Sequence, residues 1–364
     1  MNRRAILTGV LGLAGAGAGA AIYSYMSMGS MADYDAMAAR SREQLAVNPD
    51  LREIVRYATF AANSHNTQPW TFALKDSGIV IGPDLRRRTG VVDPDDHHLY
   101  VSMGCATENL VLAAAASGRA ADVRYDSDAD GSIAVDFATA SAQESPLFGA
   151  IPLRQCTRSE YSGAAISADQ LALLETAAQE PGIAVRFVTG KPDIEMVLEF
   201  IVAANRAQMA DPGFVKELAS WLRFNPAEAM RNGDGLFSAS SGNPLLPSWI
   251  GSAIFPMVFK ESAETGKIVR QVRSSSGLAI FSSERDDREH WARAGRAYQR
   301  FALQATALGI RNAHLNQPVE VASMRPEFAT ALGLGTRRPD LVIRFGMAQA
   351  MPMSLRRPVE SVIR

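Results

Sequence analysis

The chain has 364 residues, 47% of them hydrophobic, and a formal net charge of −1. That length allows two domains or one large one. The balanced charge gives no clustered basic face for nucleic acid. Two cysteines, Cys105 and Cys156, are too few for a disulfide framework and are not spaced as metal ligands.

Residues 1–30 differ in kind from the rest. Arg3 and Arg4 are followed by a mildly apolar, Gly- and Ala-rich run with no charge until Asp33. Paired arginines, a weakly hydrophobic segment and small residues resemble a twin-arginine export signal. The run continues through Ile22, Tyr23 and Met26, so an uncleaved anchor is the alternative. The expectation is an exported protein, periplasmic or anchored on the outer side of the inner membrane, with the twin-arginine machinery as partner.

Next comes a linker or short helix over 33–47. Asp50 and Glu53 predict a capped helix over 50–62. Strands are expected at 69–75 and 78–82, a long helix over about 95–117, and strands near 121–126 and 132–138. Residues 139–150 are small and polar and read as a link. Beyond it, Ser167 and Gln170 cap a helix to about 179, and 183–189 reads as a strand. Helices follow at 192–210 and 213–223. Residues 225–265 are rich in Gly, Pro, Asn and Ser, with Trp249, Phe255 and Phe259 interleaved. The chain closes with strand 277–283, helix 287–308, a short helix 325–332 and strand 340–346. Helices with few strands imply an α+β sandwich.

The two long helices match each other at an offset of 191 residues. Gly104 pairs with Gly295, Ala106 with Ala297, Leu112 with Leu303, and Gly118 with Gly309. Small residues at regular spacing let two helices approach closely, and each terminal Gly fits a left-handed C-cap. The expectation is an internal duplication, with lobes over 31–148 and 149–364.

Between the first helix and first strand lies Ala62-Asn63-Ser64-His65-Asn66-Thr67-Gln68-Pro69-Trp70. Three side-chain amides, two hydroxyls and an imidazole in six residues suit a planar heterocycle rich in carbonyls and ring nitrogens. Asn66, Gln68, Pro69 and Trp70, with Asn63 and Ser64 before them, resemble the signature turn of the nitroreductase family, flavoenzymes that bind FMN. A polar helix-to-strand turn with a buried Trp is the plainer reading. The resemblance implies that Asn63, Ser64, His65, Asn66 and Gln68 contact FMN.

In such proteins one subunit holds the phosphate and the other supplies the amide-rich turn. Arg154 and Arg158 resemble the family's phosphate-binding opening, although Cys156 stands where a Ser is usual. Arg356 and Arg357 resemble its C-terminal basic pair. Guanidinium forks suit a phosphate dianion. The turn occurs only in the first half and these arginines only in the second, so the resemblance is to the Acg-type branch, fused two-lobe FMN binders. It implies a pseudo-dimer with one FMN, monomeric or further dimerised. Leu315 and Asn316, with His314 and Gln317, match the segment that approaches the flavin ring.

The implied activity is FMN-dependent oxidation–reduction: hydride from a nicotinamide, or electrons from a redox protein, passed to a small aromatic acceptor such as a nitroaromatic or quinone. His65 and His314 are candidate proton donors. An alternative is an FMN-binding protein with little turnover, residues 225–265 forming a lid. Asp93 to His98 carries ligand-type residues but opens a helix, where capping explains them, so no metal is expected. No glycine-rich phosphate loop follows a strand.

Overall fold

The computed structural model describes residues 24–126 and 130–364. The helices are α1 (Met31–Ser41), α2 (Leu51–Thr59), α3 (His97–Ala116), α4 (Pro146–Ala150), α5 (Ala168–Ala177), α6 (Lys191–Met209) and α7 (Pro212–Trp221). They continue as α8 (Pro226–Asn232), α9 (Ser248–Val258), α10 (Glu261–Arg273), α11 (Arg288–Ala307), α12 (Gln317–Glu320) and α13 (Arg325–Ala331). The first sheet contains β1 (Trp70–Lys75), β2 (Gly78–Pro83), β3 (Arg119–Tyr125) and β4 (Ile133–Thr139). β5 (Ile183–Val188) begins the second, and β6 (Leu222–Arg223) and β7 (Leu236–Phe237) form a short parallel pair. β8 (Gly277–Ser283), β9 (Arg311–His314) and β10 (Arg338–Gly346) complete the second sheet.

This is an α+β sandwich. Its two antiparallel sheets run β1-β2-β4-β3 and β5-β8-β10-β9. Each is built the same way: a helix, two strands, a 20-residue helix and two more strands, with the last strand placed inside the third. The second sheet carries α6 to α10 as one long excursion between β5 and β8.

α3 and α11 pack against each other between the sheets, and one core cluster runs through both. Glycine makes their approach possible. A Cβ on Gly104 would sit 1.9 Å from the Ala292 carbonyl oxygen, and one on Gly295 would sit 2.0 Å from that of Val101. The two contacts are images of one another at the 191-residue offset, as in an isologous interface. The chain turns past each helix on a left-handed glycine, Gly118 and Gly309.

Most element boundaries move by a residue or two from those expected, while α2 ends three residues early at Thr59 and α1 ends at Ser41 rather than near 47. Asp50 caps α2 through the Glu53 amide at 2.9 Å, and Ser167 with Gln170 forms a full capping box. β9 was not anticipated: Arg311–His314 is four residues long, too short for an alternation to register.

The chain segments that follow β4 and β10 each cross to the edge of the other sheet. The tail returns to β1, where Phe72 N–H donates to Val362 at 2.8 Å and Arg364 N–H to Phe72 at 2.9 Å. Thr157 N–H donates to Asn312 at 3.0 Å, laying residues 154–158 along β9. These crossings bring residues 352–358 and 154–158 to the signature turn.

The reading of residues 1–30 is corrected where it can be compared. Residues 1–23 lie outside the described residues. Met28, assigned to the signal or anchor, is buried, and its carbonyl accepts from Ala227 N–H at 2.8 Å. Among the described residues one helix is long and apolar enough to cross a membrane. It is α3, most of which is buried in the central helix pair.

Candidate functional site

The turn after α2 is held in an unusual backbone. His65, Asn66 and Gln68 have φ of 46°, 53° and 54°. Left-handed conformations at three non-glycine residues cost energy and recur at ligand sites. Hydrogen bonds hold them there. Asn63 Oδ1 accepts from Gln68 N–H at 2.9 Å. Asn66 Nδ2 donates to Gly235 and Leu355 carbonyls at 3.2 and 3.1 Å, and its Oδ1 accepts from Arg356 at 2.9 Å. Gln68 Nε2 donates to Gly233 at 2.9 Å, while its Oε1 accepts from Arg357 N–H at 2.9 Å.

These bonds revise the expected roles of four residues. The amides of Asn66 and Gln68 are occupied as pins joining the turn, residues 233–235 and the tail. Gln68 is fully buried and lines neither of the two cavities beside the turn. Arg356 spends its guanidinium on Asn66 and the carbonyls of Thr59, Phe60, Ala61, Ser354 and Leu355. It borders the smaller cavity but has few donors left for a ligand. Arg357 lines neither cavity. Its guanidinium donates to Gln68 O at 3.2 Å.

Two cavities meet beside the turn. The larger, of about 280 Å³, is lined by Asn63, Ser64, His65, His98, Ser102, Arg158, Tyr298, His314, Leu315, Asn316, Gln317 and Glu320 on the sandwich side. The excursion supplies its far wall: Asn205, Gln208, Phe214, Leu218, Phe259, Lys267 and Gln271. The smaller, of about 50 Å³, is lined by Arg42, Asn63, Asn66, Arg154, Gln155, Cys156, Arg158, His314, Ser354 and Arg356. Ala62, Asn63, Arg158, Leu236 and His314 border both.

The smaller cavity is an acid-free cationic cup. Among the described residues no carboxylate forms an ion pair with Arg42, Arg154, Arg158 or Arg356. Burial holds Arg42 down to about 10, and burial with the like charges of Arg42 and Arg154 holds Arg356 well below its ordinary value. Arg154 is buried, donates once to Phe60 O at 3.0 Å, and leaves its Nε without a partner. A buried donor left unpaired costs about 1–3 kcal/mol, so the cup is suited to an anion.

In the larger cavity His65 is partly buried. Burial first, then the charges of Arg158 and His98, bring it down to about 4, and its Nδ1 has no partner. It is therefore a neutral imidazole near pH 7 and a poor acid. His314 packs edge-on to Tyr298 at 4.7 Å between ring centroids. The N–H of Leu315 donates to Val342 O at 2.8 Å, so it is not the free backbone donor expected for a flavin. Asn316 is likewise engaged: its Oδ1 accepts from Val342 N–H at 3.0 Å, and its Nδ2 faces His98 Nε2 at 2.9 Å.

Asp93, His97 and His98 bring ligand-type atoms within 4.8 Å of one another. Hydrogen bonding accounts for them. Asp93 caps the first turn of α3 through His98 and Leu99 N–H at 3.0 and 3.1 Å. His97 Nδ1 lies 3.2 Å from His98 Nδ1, and its Nε2 lies 3.1 Å from buried Asp340. Because Asn316 presents its NH2 to His98 Nε2, that nitrogen is the acceptor in the neutral ring, which then carries its proton on Nδ1.

Sequence reasoning missed Arg42, His98, Glu320 and the wall from α6, α7 and α10. Arg42 is an ordinary arginine at the end of α1, with no local pattern to mark it. Of Trp249, Phe255 and Phe259, the aromatics noted for a lid over 225–265, only Phe259 lines the cavity, while Trp249 is 64% exposed.

No family model matches the chain. Two proteins from two strains of Mycobacterium tuberculosis, provisionally named NAD(P)H nitroreductases, are 26% identical over 329 residues, covering 86% of this chain and 90% of each relative. Among solved structures, the FMN-dependent nitroreductase NfnB of Mycobacterium smegmatis, in complex with NADPH, is 16% identical, with TM-score 0.40 over 60% of this chain and 97% of its own. A Bacteroides fragilis nitroreductase with bound FMN is 17% identical, with TM-score 0.36 over 57% and 90%. The sequence likeness is thus to proteins provisionally named nitroreductases, over most of the length of both chains. The exported or membrane-anchored location expected from residues 1–30, with its export-machinery partner, is overturned. Met28 is packed within the fold against Ala227, and among the described residues the one span-length helix belongs to the core.

Proposed function

We propose that this chain is an FMN-dependent oxidoreductase of nitroreductase type, carrying one FMN between two lobes of an internally duplicated polypeptide. The observation that carries the reading is the union of two unlike cavities: an amide- and imidazole-lined one and a cationic cup without acids, sharing Asn63, Arg158 and His314. A ring system with a phosphate tail matches that pair. Arg154, Arg158 and Arg42 are suited to the phosphate, and Asn63, Ser64 and His65 to the ring.

The repeated strand order and the paired Gly104 and Gly295 contacts support lobes at 31–148 and 149–364, as in the Acg-type branch. Only the first lobe has the turn, and the cup draws Arg154, Arg158 and Arg356 from the second, which supports a single site.

When bound, FMN supplies two-electron transfer, from a nicotinamide or a redox-protein donor to an electron-poor acceptor such as a nitroaromatic or quinone. The chain's part is to bind, orient and exclude water. The cup neutralises the phosphate, the strained turn fixes the polar edge of the ring, and Phe214, Leu218 and Phe259 give the far wall an apolar surface for a flat substrate.

That same wall favours a second reading, an FMN-binding protein with little turnover. Residues 233–235 are pinned to the turn by Asn66 and Gln68, so this part of the excursion is fixed as a strap. Anaerobic stopped-flow mixing with NADPH or NADH separates the two. Rapid bleaching of bound flavin and reoxidation by a nitroaromatic support the enzyme. Tightly held flavin that bleaches slowly or not at all supports the binding protein.

A further inference from the structure

The cationic cup contains a nucleophile that the proposed reaction leaves unused. Cys156 Sγ lies 3.9 Å from His314 Nδ1, and both residues line the smaller cavity. The other cysteine is a different case: Cys105 is buried in α3 and its Sγ–H donates to Gly295 O at 3.2 Å. Cys156 is only half-buried.

Two further features give this thiol a setting. Arg154, 94% buried, borders the same cavity with its Nε unpartnered. Arg158 borders it too, and its guanidinium has no hydrogen-bond or ion-pair partner among the described residues. The cup thus holds positive charge beside the sulfur and offers room for an anion. Burial alone would push the Cys156 thiol up, but Arg158 and the hydrogen bond from His314 outweigh it and bring it down to about 5. Burial pushes Cys105 up to about 12. A thiolate beside cations is the reactive form of cysteine.

We propose that Cys156 is a redox-sensitive modification site: its oxidation by a hydroperoxide closes the cationic cup and releases the phosphate-bearing ligand. The proposal rests on the FMN reading above. The sulfur attacks one peroxide oxygen, so an S–O bond forms as the O–O bond breaks. Sulfur loses two electrons and the peroxide gains them. The departing oxygen takes up the proton that the thiol gave up and leaves as an alcohol, or as water from hydrogen peroxide. The product is a sulfenic acid or its anion. In a cup of about 50 Å³ the added oxygen takes space and presents its own negative charge to Arg158, in place of a phosphate. A bound phosphate covers the sulfur, so ligand protects the thiol and oxidation opposes the ligand.

The test uses full-length protein stripped of flavin. Alkylation by iodoacetamide at pH 6.5 is followed at each cysteine by mass spectrometry, alone and with FMN or inorganic phosphate. FMN affinity is then measured by fluorescence quenching before hydrogen peroxide, after it, and after dithiothreitol, with Cys156→Ser in parallel. The expected result is alkylation of Cys156 at least tenfold faster than Cys105, slowed by FMN. Peroxide is expected to weaken FMN binding at least tenfold in the natural protein, reversibly, and to leave the affinity of Cys156→Ser at its own untreated value. Equal alkylation of the two cysteines, or unchanged FMN affinity once Cys156 is oxidised, overturns the proposal. If untreated protein binds no FMN, the cofactor reading fails. Protection by inorganic phosphate then decides the thiol's place in an anion site, and lack of protection overturns that too.

Discussion

The guanidinium of Arg356 donates to the side-chain oxygen of Asn66 at 2.9 Å, across 290 residues of chain. The bond ties the C-terminal tail to the turn after α2. Asn66 also pins Gly235 and Leu355, so one amide holds together three of the segments around the cationic cup. The two residues shape the site more than they face into it.

Asn66→Ala should therefore fail structurally as well as in binding. It strands the Gly235 carbonyl, at about 1–3 kcal/mol for a buried unpaired group, and removes one partner each from the Leu355 carbonyl and Arg356. It also places alanine at a φ of 53°. Urea unfolding should show a loss of about 3 kcal/mol. Combined with Arg154→Ala, no FMN should survive gel filtration; full occupancy in the double variant would contradict the assigned site.

Arg158→Gln separates binding from folding. Its guanidinium has no protein partner among the described residues, so melting temperature should barely move. A charge-assisted hydrogen bond contributes about 1.5–3 kcal/mol, which corresponds to FMN binding weaker by roughly 10- to 100-fold. An unchanged affinity, measured by flavin fluorescence, would remove Arg158 from the phosphate site.

Gly104→Ala and Gly295→Ala should be the most damaging single-methyl changes in the protein. Each new Cβ would fall 2.0 Å or less from a backbone oxygen of the facing helix. Overpacking usually costs about 1–3 kcal/mol, and here neither backbone can yield without separating the two helices. Either variant should unfold at markedly lower urea or fail to accumulate. A neutral result at both positions would contradict the close crossing of α3 and α11.

Stability should fall on mild acidification, partly through His65. Burial lowers its folded value to about 4 from 6.5 in the open chain. The unfolded state thus binds the proton first as pH falls. The contribution is complete above pH 6.5 and is lost as pH drops towards 4, up to about 3 kcal/mol at 1.36 kcal/mol per unit. His65→Asn keeps a residue that tolerates the left-handed backbone and removes the titration. Urea unfolding at pH 7.5 and 5 should show a smaller acid loss in this variant than in the natural protein. Equal losses would show that His65 is not held neutral.

The parts of this molecule legible in the sequence were those written in local patterns. Asp50, Ser167 and the long helices α3 and α11 could be read because caps and periodicity are local. Gly104 and Gly295 were visible as a repeat, although their contact was not. The site was legible as chemistry and less so as geometry. Asn66, Gln68 and Arg356 drew notice as cofactor ligands, yet their hydrogen bonds go to carbonyls from distant segments, which no local pattern records. Arg42 and the wall from Phe214 to Gln271 reach the cavities only through the tertiary arrangement. β9 is too short to show alternation, and it is the strand that sets His314 beside Cys156.

The central claim is that one polypeptide builds one flavin site from both lobes. The visible spectrum of purified full-length protein, with flavin released and counted against chain concentration, tests it most directly. The account predicts oxidised-flavin absorbance and FMN approaching one per chain. Two per chain, or a colourless protein that takes up no FMN when it is supplied, would contradict it.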